Sequence, residues 1–336
     1  MCRFKSGIIL KTRCVVADGV NDSHSDLLDG LGIEDTEINA MTKFVRVELL
    51  PPNNEWWTDP DRWKINIDQD ILPDWYKEDK EKYNEDFRKE VKEWCNKHVL
   101  VDKNIRELKE GYYLLKDCDV VVLANNAVVV LYNAMVKEMN GNATVQRMND
   151  NAMVQRMNGN ATVQEMNDNA TVKEMYDNAT VKEMYDNATV QEMYGNATVQ
   201  EMNGNATVQR MYGNATVQWM YGNATVKEMN GNATVQEMYG NATVQWMYGN
   251  ATVQEMNGNA TVQEMNGNAT VQEMHDNATV KEMYGNATVQ RMYGNATVQR
   301  ICDNAKVFSY KGLKIKEYVS ADSNIEVVVH SGGEVR

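Results

Sequence analysis

The stretch Asn196-Ala197-Thr198-Val199-Gln200-Glu201-Met202-Asn203-Gly204 is one copy of a nine-residue unit that dominates this 336-residue chain. An Asn recurs every nine residues from Asn133 to Asn304, 20 in all, and the consensus is N-A-T-V-[QK]-[ER]-M-[YN]-[GD]. The second and fourth positions are Ala and Val in every copy, and the seventh is Met in the first 18 copies. A unit this short buries its apolar side only by stacking on its neighbours, so the repeat decides the fold.

A helix cannot use this period. Nine residues at about 100° each come to about 900°, which is half a turn out of phase, so successive Val residues would fall on opposite faces. Most copies also carry Asn and Thr, and many carry Gly, all of which are poor helix formers. The repeat therefore predicts strands.

A strand followed by a corner fits the unit. Alternation along Ala-Thr-Val-Gln points Ala and Val inward and Thr and Gln or Lys outward. A bend at the Glu or Arg position lets the next Met point inward again. The Tyr/Asn-Gly/Asp-Asn sequence then makes the corner, since Gly, Asp and Asn accept positive φ. The expected fold class is mainly β, a parallel β-solenoid with a small N-terminal α+β domain.

The number of copies in one coil is open between two and three. Two copies give an 18-residue flattened roll of about 10 coils, with strands at ~4.8 Å spacing, whereas three copies give a 27-residue triangular tube. Trp219 and Trp246 occupy the same repeat position three copies apart. They would stack in the triangular tube and would lie on opposite faces in the roll. We favour the roll, because Ala, Val and Met from two sheets are enough to fill its interior.

The core of each copy, as in Gly195-Asn196-Ala197-Thr198-Val199, resembles the units of hexapeptide-type left-handed β-helices, although those repeats have six residues. The nine-residue period is also similar to that of the calcium-binding RTX β-roll. The tandem glycines and the mid-repeat Asp of that family are missing here, so the resemblance does not imply calcium.

The N-terminal segment is similar to an uncharacterised family of gut-bacterial phage and prophage proteins, over roughly residues 1 to 100. The stretches that carry this resemblance are Met1 to Leu10, Ser23-His24-Ser25-Asp26-Leu27-Leu28 and Ile67 to Tyr76. The resemblance implies a small α+β head followed by a variable repetitive tail, and it implies no activity.

We expect four segments: a head over 1–110, an N-terminal solenoid cap over 111–132, the solenoid over 133–306 and a C-terminal cap over 307–336. In the head, Phe4 to Leu10, Val45 to Leu50 and Trp63 to Ile67 are predicted strands, and Asn84 to His98 is a predicted amphipathic helix. Five of the seven Trp residues lie here, and they indicate either an aromatic core or an aromatic ligand groove: Trp56, Trp57, Trp63, Trp75 and Trp94.

Exposed ends of a solenoid need caps, because an open edge invites association. Asp119 to Leu123 and Ala127 to Leu131 are predicted to be atypical first coils. Beyond Asn304 the pattern decays through Leu313 to Val319 and Ile325 to Val329. These two segments are predicted to form a C-terminal capping hairpin, with Lys311, Lys314 and Lys316 nearby.

The head carries weak candidates for chemistry. His24-Ser25-Asp26 contains the residue types of a catalytic triad, but adjacent residues rarely adopt that geometry, and a loop or helix N-cap is favoured. Cys14, Cys95 and His98 could supply a nucleophile and a base, although nothing links them in sequence. An acidic group could hold Mg²⁺ or Ca²⁺ but matches no EF-hand loop: Asp59, Asp61, Asp68, Asp70 and Asp74. No P-loop, Rossmann fingerprint or HExxH motif occurs.

The composition and charge of the chain disfavour some functional classes and some cellular locations. The net charge of −14 disfavours nucleic-acid binding. The five cysteines are scattered and include no CxxC, which is typical of a reducing compartment. The sequence shows no signal peptide and no transmembrane stretch, so we expect a cytoplasmic protein without membrane contact. We predict no catalytic, cofactor-binding or metal-binding residues and no small-molecule substrate.

The leading hypothesis is a non-enzymatic solenoid that serves as scaffold, spacer or binding surface, with a protein partner or self-association; it could be phage-derived. Its candidate interaction surface comprises Trp219, Trp246, Tyr194, Tyr212, Tyr221 and Tyr248. One alternative is an acidic rod that mimics DNA and inhibits a host enzyme, although residues 133–303 carry only 10 Lys/Arg against 18 Asp/Glu. The other is an enzyme in the head, which a polar pocket around His24 or the 68–74 segment would favour and a solid Trp core would disfavour.

Overall fold

A computed structural model describes residues 5–19, 23–309, 314–318 and 326–329, with side chains described as far as Phe308. The chain divides into two compact units. The first comprises residues 1–103 and 112–116, and the second comprises 104–111 and 117–336. The first unit is referred to below as the head and the second as the solenoid.

The head contains a four-stranded antiparallel sheet in the order β2-β1-β3-β4. The first strand, at Lys5–Leu10, pairs on one side with the second and on the other with the third. The strands are β1 Lys5–Leu10, β2 Arg13–Val16, β3 Phe44–Leu50 and β4 Lys64–Ile67, and a short β5, Val99–Val101, follows the last helix. The helices are α1 His24–Gly30, α2 Glu37–Thr42, α3 Asp74–Glu78 and α4 Lys80–His98, with 3₁₀ turns at Pro52–Asn54 and Pro60–Arg62.

The three strands and the helix predicted for the head are confirmed within one to four residues, apart from Phe4, which lies outside the described residues. Helix α4 buries Phe87, Val91 and Trp94 along one side, as its spacing predicts. Trp63 and Trp56 are buried and meet edge-to-face with ring centroids 5.6 Å apart. Three of the five head Trp residues are therefore core, while Trp57 and Trp75 are half-buried.

The second unit is a parallel β-solenoid of about 12 turns with about 18 residues in each coil, so the two-copy roll is confirmed. Strands pair with the strand one coil away, as Val199 does with Val181 and Val217. Strand β6, Asn104–Lys116, belongs to the second unit over residues 104–111 and to the first over 112–116. The next strands of the second unit are β7 Asp119–Tyr132, β8 Met135–Met139, β9 Thr144–Asn149 and β10 Met153–Met157. Then follow β11 Thr162–Met166, β12 Thr171–Met175, β13 Thr180–Met184, β14 Thr189–Met193, β15 Thr198–Met202, β16 Thr207–Met211, β17 Thr216–Met220, β18 Thr225–Met229, β19 Thr234–Met238 and β20 Thr243–Met247. The last are β21 Thr252–Met256, β22 Thr261–Met265, β23 Thr270–Met274, β24 Thr279–Met283, β25 Thr288–Met292, β26 Thr297–Ile301, β27 Lys306–Ser309, β28 Lys314–Tyr318 and β29 Glu326–Val329.

Even-numbered strands from β8 onward form one face, called face A, and odd-numbered strands from β9 onward form the other, face B. In the central copies Ala, Val and Met are fully buried, as Ala197, Val199 and Met202 show. Inward Val and inward Met are three residues apart, which breaks strict alternation. The fifth residue of each copy is left out of the pairing between coils. Val199 pairs with Val217 and Glu201 pairs with Trp219, while Gln200 between them is unpaired in the register. The predicted interior is confirmed.

The corners depend on positive φ at the ninth position. Gly195 has φ of 66° and Asp177, one coil earlier, has 57°. The turn closes with a hydrogen bond from the amide of Ala179 to the carbonyl of Tyr176, 3.1 Å. Where Asp replaces Gly, its carboxylate accepts from the amide one coil before, as Asp177 does from Gly159 at 3.1 Å. This bond offsets part of the cost of placing a residue with a Cβ in the left-handed region.

The predicted first coils are confirmed. Strand β7 runs through both segments, and residues 119–123 pair with β8 while residues 128–132 pair with β9. The predicted C-terminal hairpin is wrong. Strand β28 pairs in parallel with β26, and β29 pairs in parallel with β27, so both segments continue the coil. Lys314 and Lys316 lie within β28, and Lys311 lies outside the described residues.

Candidate functional site

The sixth position of each copy forms one outer row along each face. Glu dominates both rows, and Arg residues pair with Glu one coil away, which relieves like-charge repulsion. On face A, Arg156 bridges Glu138 at 3.3 Å and Glu174 at 3.2 Å. On face B, Arg147 contacts Glu165 at 2.8 Å. Charge on the two faces is therefore mixed and locally compensated.

The eighth position lies beside the sixth of the same copy. The hydroxyl of Tyr185 donates to Glu183 at 2.6 Å, and Asn203 donates its side-chain amide to Glu201 at 2.9 Å. The hydrogen bond to Glu183, followed by burial, raises the pKa of Tyr185 to about 12. Tyr and Asn therefore play the same part here as donors to a Glu carboxylate, which accounts for the use of both residue types at the eighth position.

Corner side chains form a second set of rows. The amide of Asn214 donates to the side-chain oxygen of Asn196, one coil earlier, at 3.4 Å, and the same contact recurs along both corners. The hydroxyl of Thr198 donates to the carbonyl of Asn196 at 3.3 Å. Asn and Thr thus satisfy one another within the corners, and their positions are explained by the architecture alone.

Some of the eighth-position rings stack between coils. Tyr176, Tyr194 and Tyr212 form a run on the face A side, with centroids 5.0 and 5.2 Å apart. On the face B side, Tyr221 stacks on Tyr239 at 5.2 Å. Sequence reasoning overlooked Tyr176 and Tyr239, although the recurrence of Tyr at every second copy was the signal that could have found them.

Trp219 and Trp246 replace the usual Glu or Arg of the sixth position. They are 37% and 40% exposed, more than any other Trp in the described residues. Trp219 lies on face B between Glu201 and Glu237, in register with both. Trp246 lies on the opposite face, where its register neighbours are Glu228 and Glu264.

The structure therefore divides the predicted interaction surface into two. On face B, Trp219 lies in the same copy as Tyr221, which stacks on Tyr239. On face A, Trp246 lies in the same copy as Tyr248. Tyr194 and Tyr212 belong to the face A side as well, in the Tyr stack described above. We name the Trp219–Tyr221–Tyr239 group patch B and the Trp246–Tyr248 pair patch A.

Patch A and patch B have the same local sequence. Val217-Gln218-Trp219-Met220-Tyr221-Gly222 and Val244-Gln245-Trp246-Met247-Tyr248-Gly249 are identical, and in both the Trp is flanked by two Glu. The two Trp residues are three copies apart, which is one and a half coils. The same sequence motif therefore occurs once on each face. At about 4.8 Å between strands they are offset by roughly 7 Å along the solenoid axis.

In the head, His24 lies at the start of α1, where Ser23 caps the helix by accepting from the amide of Asp26 at 3.3 Å. His24-Ser25-Asp26, predicted to be a loop or an N-cap, therefore forms the first turn of the helix, and the N-cap is the preceding residue. The imidazole of His24 faces Asp68, with 3.2 Å between Nδ1 and Oδ2. One ligand atom each from His24, Glu48 and Asp68 lie within 4.8 Å of one another, an arrangement able to hold a metal ion.

Three other acids of the predicted group pair with lysines. Lys92 contacts Asp61 at 2.5 Å and Asp59 at 3.5 Å, and Lys77 contacts Asp74 at 3.1 Å. The hydrogen bond from the amide of Asp61 is the main cause that lowers the pKa of Asp59. The five acids therefore do not form one site.

Asp68 and Asp70 line an open polar cavity of about 530 Å³, together with Asp35, Arg46 and Gln69. A pocket beside the 68–74 segment was the feature that would favour an enzyme in the head. The buried Trp56 and Trp63 are the feature that would disfavour one. The head contains both the polar cavity and the buried Trp residues, so these two features do not decide whether the head is an enzyme.

The two cysteines proposed from the sequence as nucleophiles, Cys14 and Cys95, have thiols that are difficult to ionise. Burial, reinforced by Asp86 and Glu90, raises the pKa of the Cys14 thiol to about 12. Burial likewise raises the pKa of Cys95 to about 12. The imidazole of His98, the base suggested by sequence, stacks on Trp94 and bonds to the carbonyl of Tyr112 at 2.7 Å.

No protein-family model matches this chain, and neither does any curated protein or solved structure. Among the described helices, none combines the length and the apolar character needed to cross a membrane.

Proposed function

We propose that this protein is a non-enzymatic structural and binding protein, in which the solenoid displays patch A and patch B to a protein partner. The observation that carries this proposal is the pair of exposed Trp side chains at positions that are otherwise Glu or Arg in the regular copies. Exposed Trp and Tyr are the residue types most enriched at the energetic centres of protein interfaces. A structural role alone gives no reason for Trp at an outward position.

The surroundings of the two patches indicate the partner's chemistry. Trp219 and Trp246 are each flanked by two Glu carboxylates. An apolar pocket rimmed by Lys and Arg would complement this arrangement in shape and charge. Because the patches lie on opposite faces, each solenoid would bind two copies of such a partner, one on each face.

The free cysteines support a reducing compartment. Cys95 and Cys302 are buried as free thiols, and Cys14, also a free thiol, is half-buried. We infer a cytoplasmic location on that basis. The compensated Glu and Arg rows weaken the DNA-mimic alternative, because continuous negative charge is what a mimic requires.

Substitution by the residue that most copies already carry gives a clean test. Trp219→Glu and Trp246→Glu restore the common sixth residue, so both variants should fold like the parent. Proteins bound by the full chain from a lysate are identified by mass spectrometry, and the stoichiometry with the purified partner is then measured by analytical ultracentrifugation. We expect two partner molecules per chain, one in either single variant and none in the double variant.

Arg210→Glu is the matched control, because it changes the same repeat position and adds a Glu without removing an aromatic ring. It should leave the stoichiometry unchanged. Retention of two partner molecules by the double Trp variant would refute the proposal. Self-association of the purified chain that is abolished by the same double variant would assign the patches to a second copy instead and would also contradict it.

A further inference from the structure

The head holds a cluster of metal-ligand side chains that the sequence does not reveal. From the positions of His24, Glu48 and Asp68 we propose that the head binds one divalent transition-metal ion of the zinc class. The three residues come from helix α1, strand β3 and the residue that follows strand β4. This site is independent of the aromatic patches on the solenoid.

The sheet register brings the two carboxylates to one face. Glu48 on β3 pairs directly with Asn66 on β4. Asp68 is two residues beyond Asn66, so its side chain points to the same face of the sheet. The amide of Asp68 donates to the carbonyl of Arg46 at 3.0 Å, which extends the antiparallel pairing by one more residue. The position of Asp68 is therefore fixed by the backbone.

The contacts of the imidazole are typical of a metal ligand. Nε2 of His24 lies 3.2 Å from the carbonyl oxygen of Val47, and a carbonyl can only accept, so this nitrogen carries the proton. Nδ1 faces Oδ2 of Asp68 at 3.2 Å. Because a carboxylate also only accepts, this contact is a hydrogen bond when Nδ1 carries a proton, and a bound metal ion would take the place of that proton. Metal-binding histidines commonly donate their other ring N–H to a backbone carbonyl in this way.

The spacing also suits an ion. Zinc lies about 2.0–2.2 Å from nitrogen and oxygen ligands in tetrahedral sites, which places neighbouring ligand atoms roughly 3.3 Å apart. The distance of 3.2 Å between Nδ1 of His24 and Oδ2 of Asp68 agrees with this ligand-to-ligand distance. Three protein ligands leave one position for water, and Asp68 also borders the open cavity through which an ion could enter.

Burial supplies the second reason for an ion. The side chain of His24 is 10% exposed and Glu48 is 9% exposed. The carboxylate of Glu48 accepts a hydrogen bond from the side-chain amide of Asn66 at 2.8 Å, and this bond orients it. A carboxylate removed from water is costly unless it is paired or coordinates a metal. The charges of the two carboxylates that converge on this imidazole would be neutralised by one divalent cation.

The test measures zinc binding by the full chain with isothermal titration calorimetry after removal of metal by a chelator. All proteins carry His275→Gln, because His275 lies near Glu273 and could add a weak surface site. Asp68→Asn removes one ligand at a position that is 57% exposed, so it should fold normally. We expect one zinc ion per chain in the parent and at least about tenfold weaker binding in Asp68→Asn.

Asp70→Asn is the matched control, since Asp70 borders the same cavity but is outside the cluster. It should bind zinc like the parent. His24→Gln should bind as weakly as Asp68→Asn, and zinc should raise the melting temperature of the parent and of Asp70→Asn only. Equal zinc affinity in Asp68→Asn and Asp70→Asn would overturn the proposal, and so would a parent that binds no more zinc than His24→Gln.

Discussion

The interior and the outer surface of the solenoid follow different rules. Inside, the same three residues recur, and Ala197, Val199 and Met202 are each fully buried. Outside, in the first 18 copies, the sixth position varies among Glu, Arg and Trp, and the eighth among Tyr, Asn and His. The interior must fill a constant cross-section at close packing, so its residues vary little, and where Ile301 replaces Met the substitute is another large apolar residue. The outer positions face water, so they are free to carry function.

The largest expected effect comes from placing a charge inside. Val217→Asp would bury an unpaired carboxylate and should lower the free energy of unfolding by at least about 3 kcal/mol. Gln218→Asp changes the adjacent outward residue and should stay within about 0.5 kcal/mol of the parent. Chemical denaturation followed by circular dichroism measures both. Similar losses in the two variants would remove the distinction between interior and surface.

Substitutions at the corners should cost an intermediate amount of stability. Gly240 has φ of 67°, and a Cβ there would approach the backbone of Gly222 to 3.3 Å. Gly240→Ala should therefore cost about 1–2 kcal/mol. Gly240→Asp should cost less, because its carboxylate can accept from the amide of Gly222 as Asp177 does from Gly159. Thermal melts of the two variants compare them directly, and an Ala variant as stable as the Asp variant would contradict this account of the corner.

The smallest expected effect on stability concerns the Tyr–Glu hydrogen bonds on the outer surface, and it appears only at high pH. The hydrogen bond to Glu237, with burial second, raises the pKa of Tyr239 to about 12. A pKa raised in the folded state gives stability that is fully present below the ordinary value near 10 and is lost as pH rises towards 12. Glu237→Gln should lower the pKa of Tyr239 and weaken this dependence, as an absorbance titration of tyrosinate would show. An unchanged titration would mean that the carboxylate has no part in the shift.

Most of the solenoid could be predicted because its environment repeats. Twenty copies of one pattern average out local ambiguity, so the inward residues and the corners followed from the period. The period left two or three copies per coil open, and the two-copy coil, favoured because two sheets fill the interior, is the one observed. The prediction was wrong where the period breaks. Ile315 is in register with Val298, a spacing shorter than one regular coil, and Val327 is in register with Val307, a spacing longer than one. Those irregular spacings conceal the continuing coil, which was interpreted as a hairpin.

The head shows the opposite case. Its strands and main helix followed from apolar spacing, but the His24, Glu48 and Asp68 cluster did not. These residues are far apart in the chain, and only the pairing of Glu48 with Asn66 brings the carboxylates together. Sequence spacing carries no information on such a register. Likewise, the two aromatic patches could be located in sequence, but their assignment to opposite faces required the coil size.

The most direct test of the central claim joins neighbouring coils covalently. Glu183 and Glu201 are in register on adjacent strands of face B, at a spacing of about 4.8 Å that suits a disulfide. Cysteine pairs are introduced at 183 with 201, at 183 with 192 and at 183 with 210, and mild oxidation is followed by mass spectrometry of the linked peptides. We predict cross-linking of 183 with 201 alone. Cross-linking of 183 with 210, with none between 183 and 201, would contradict the two-copy coil and the placement of the aromatic patches on opposite faces.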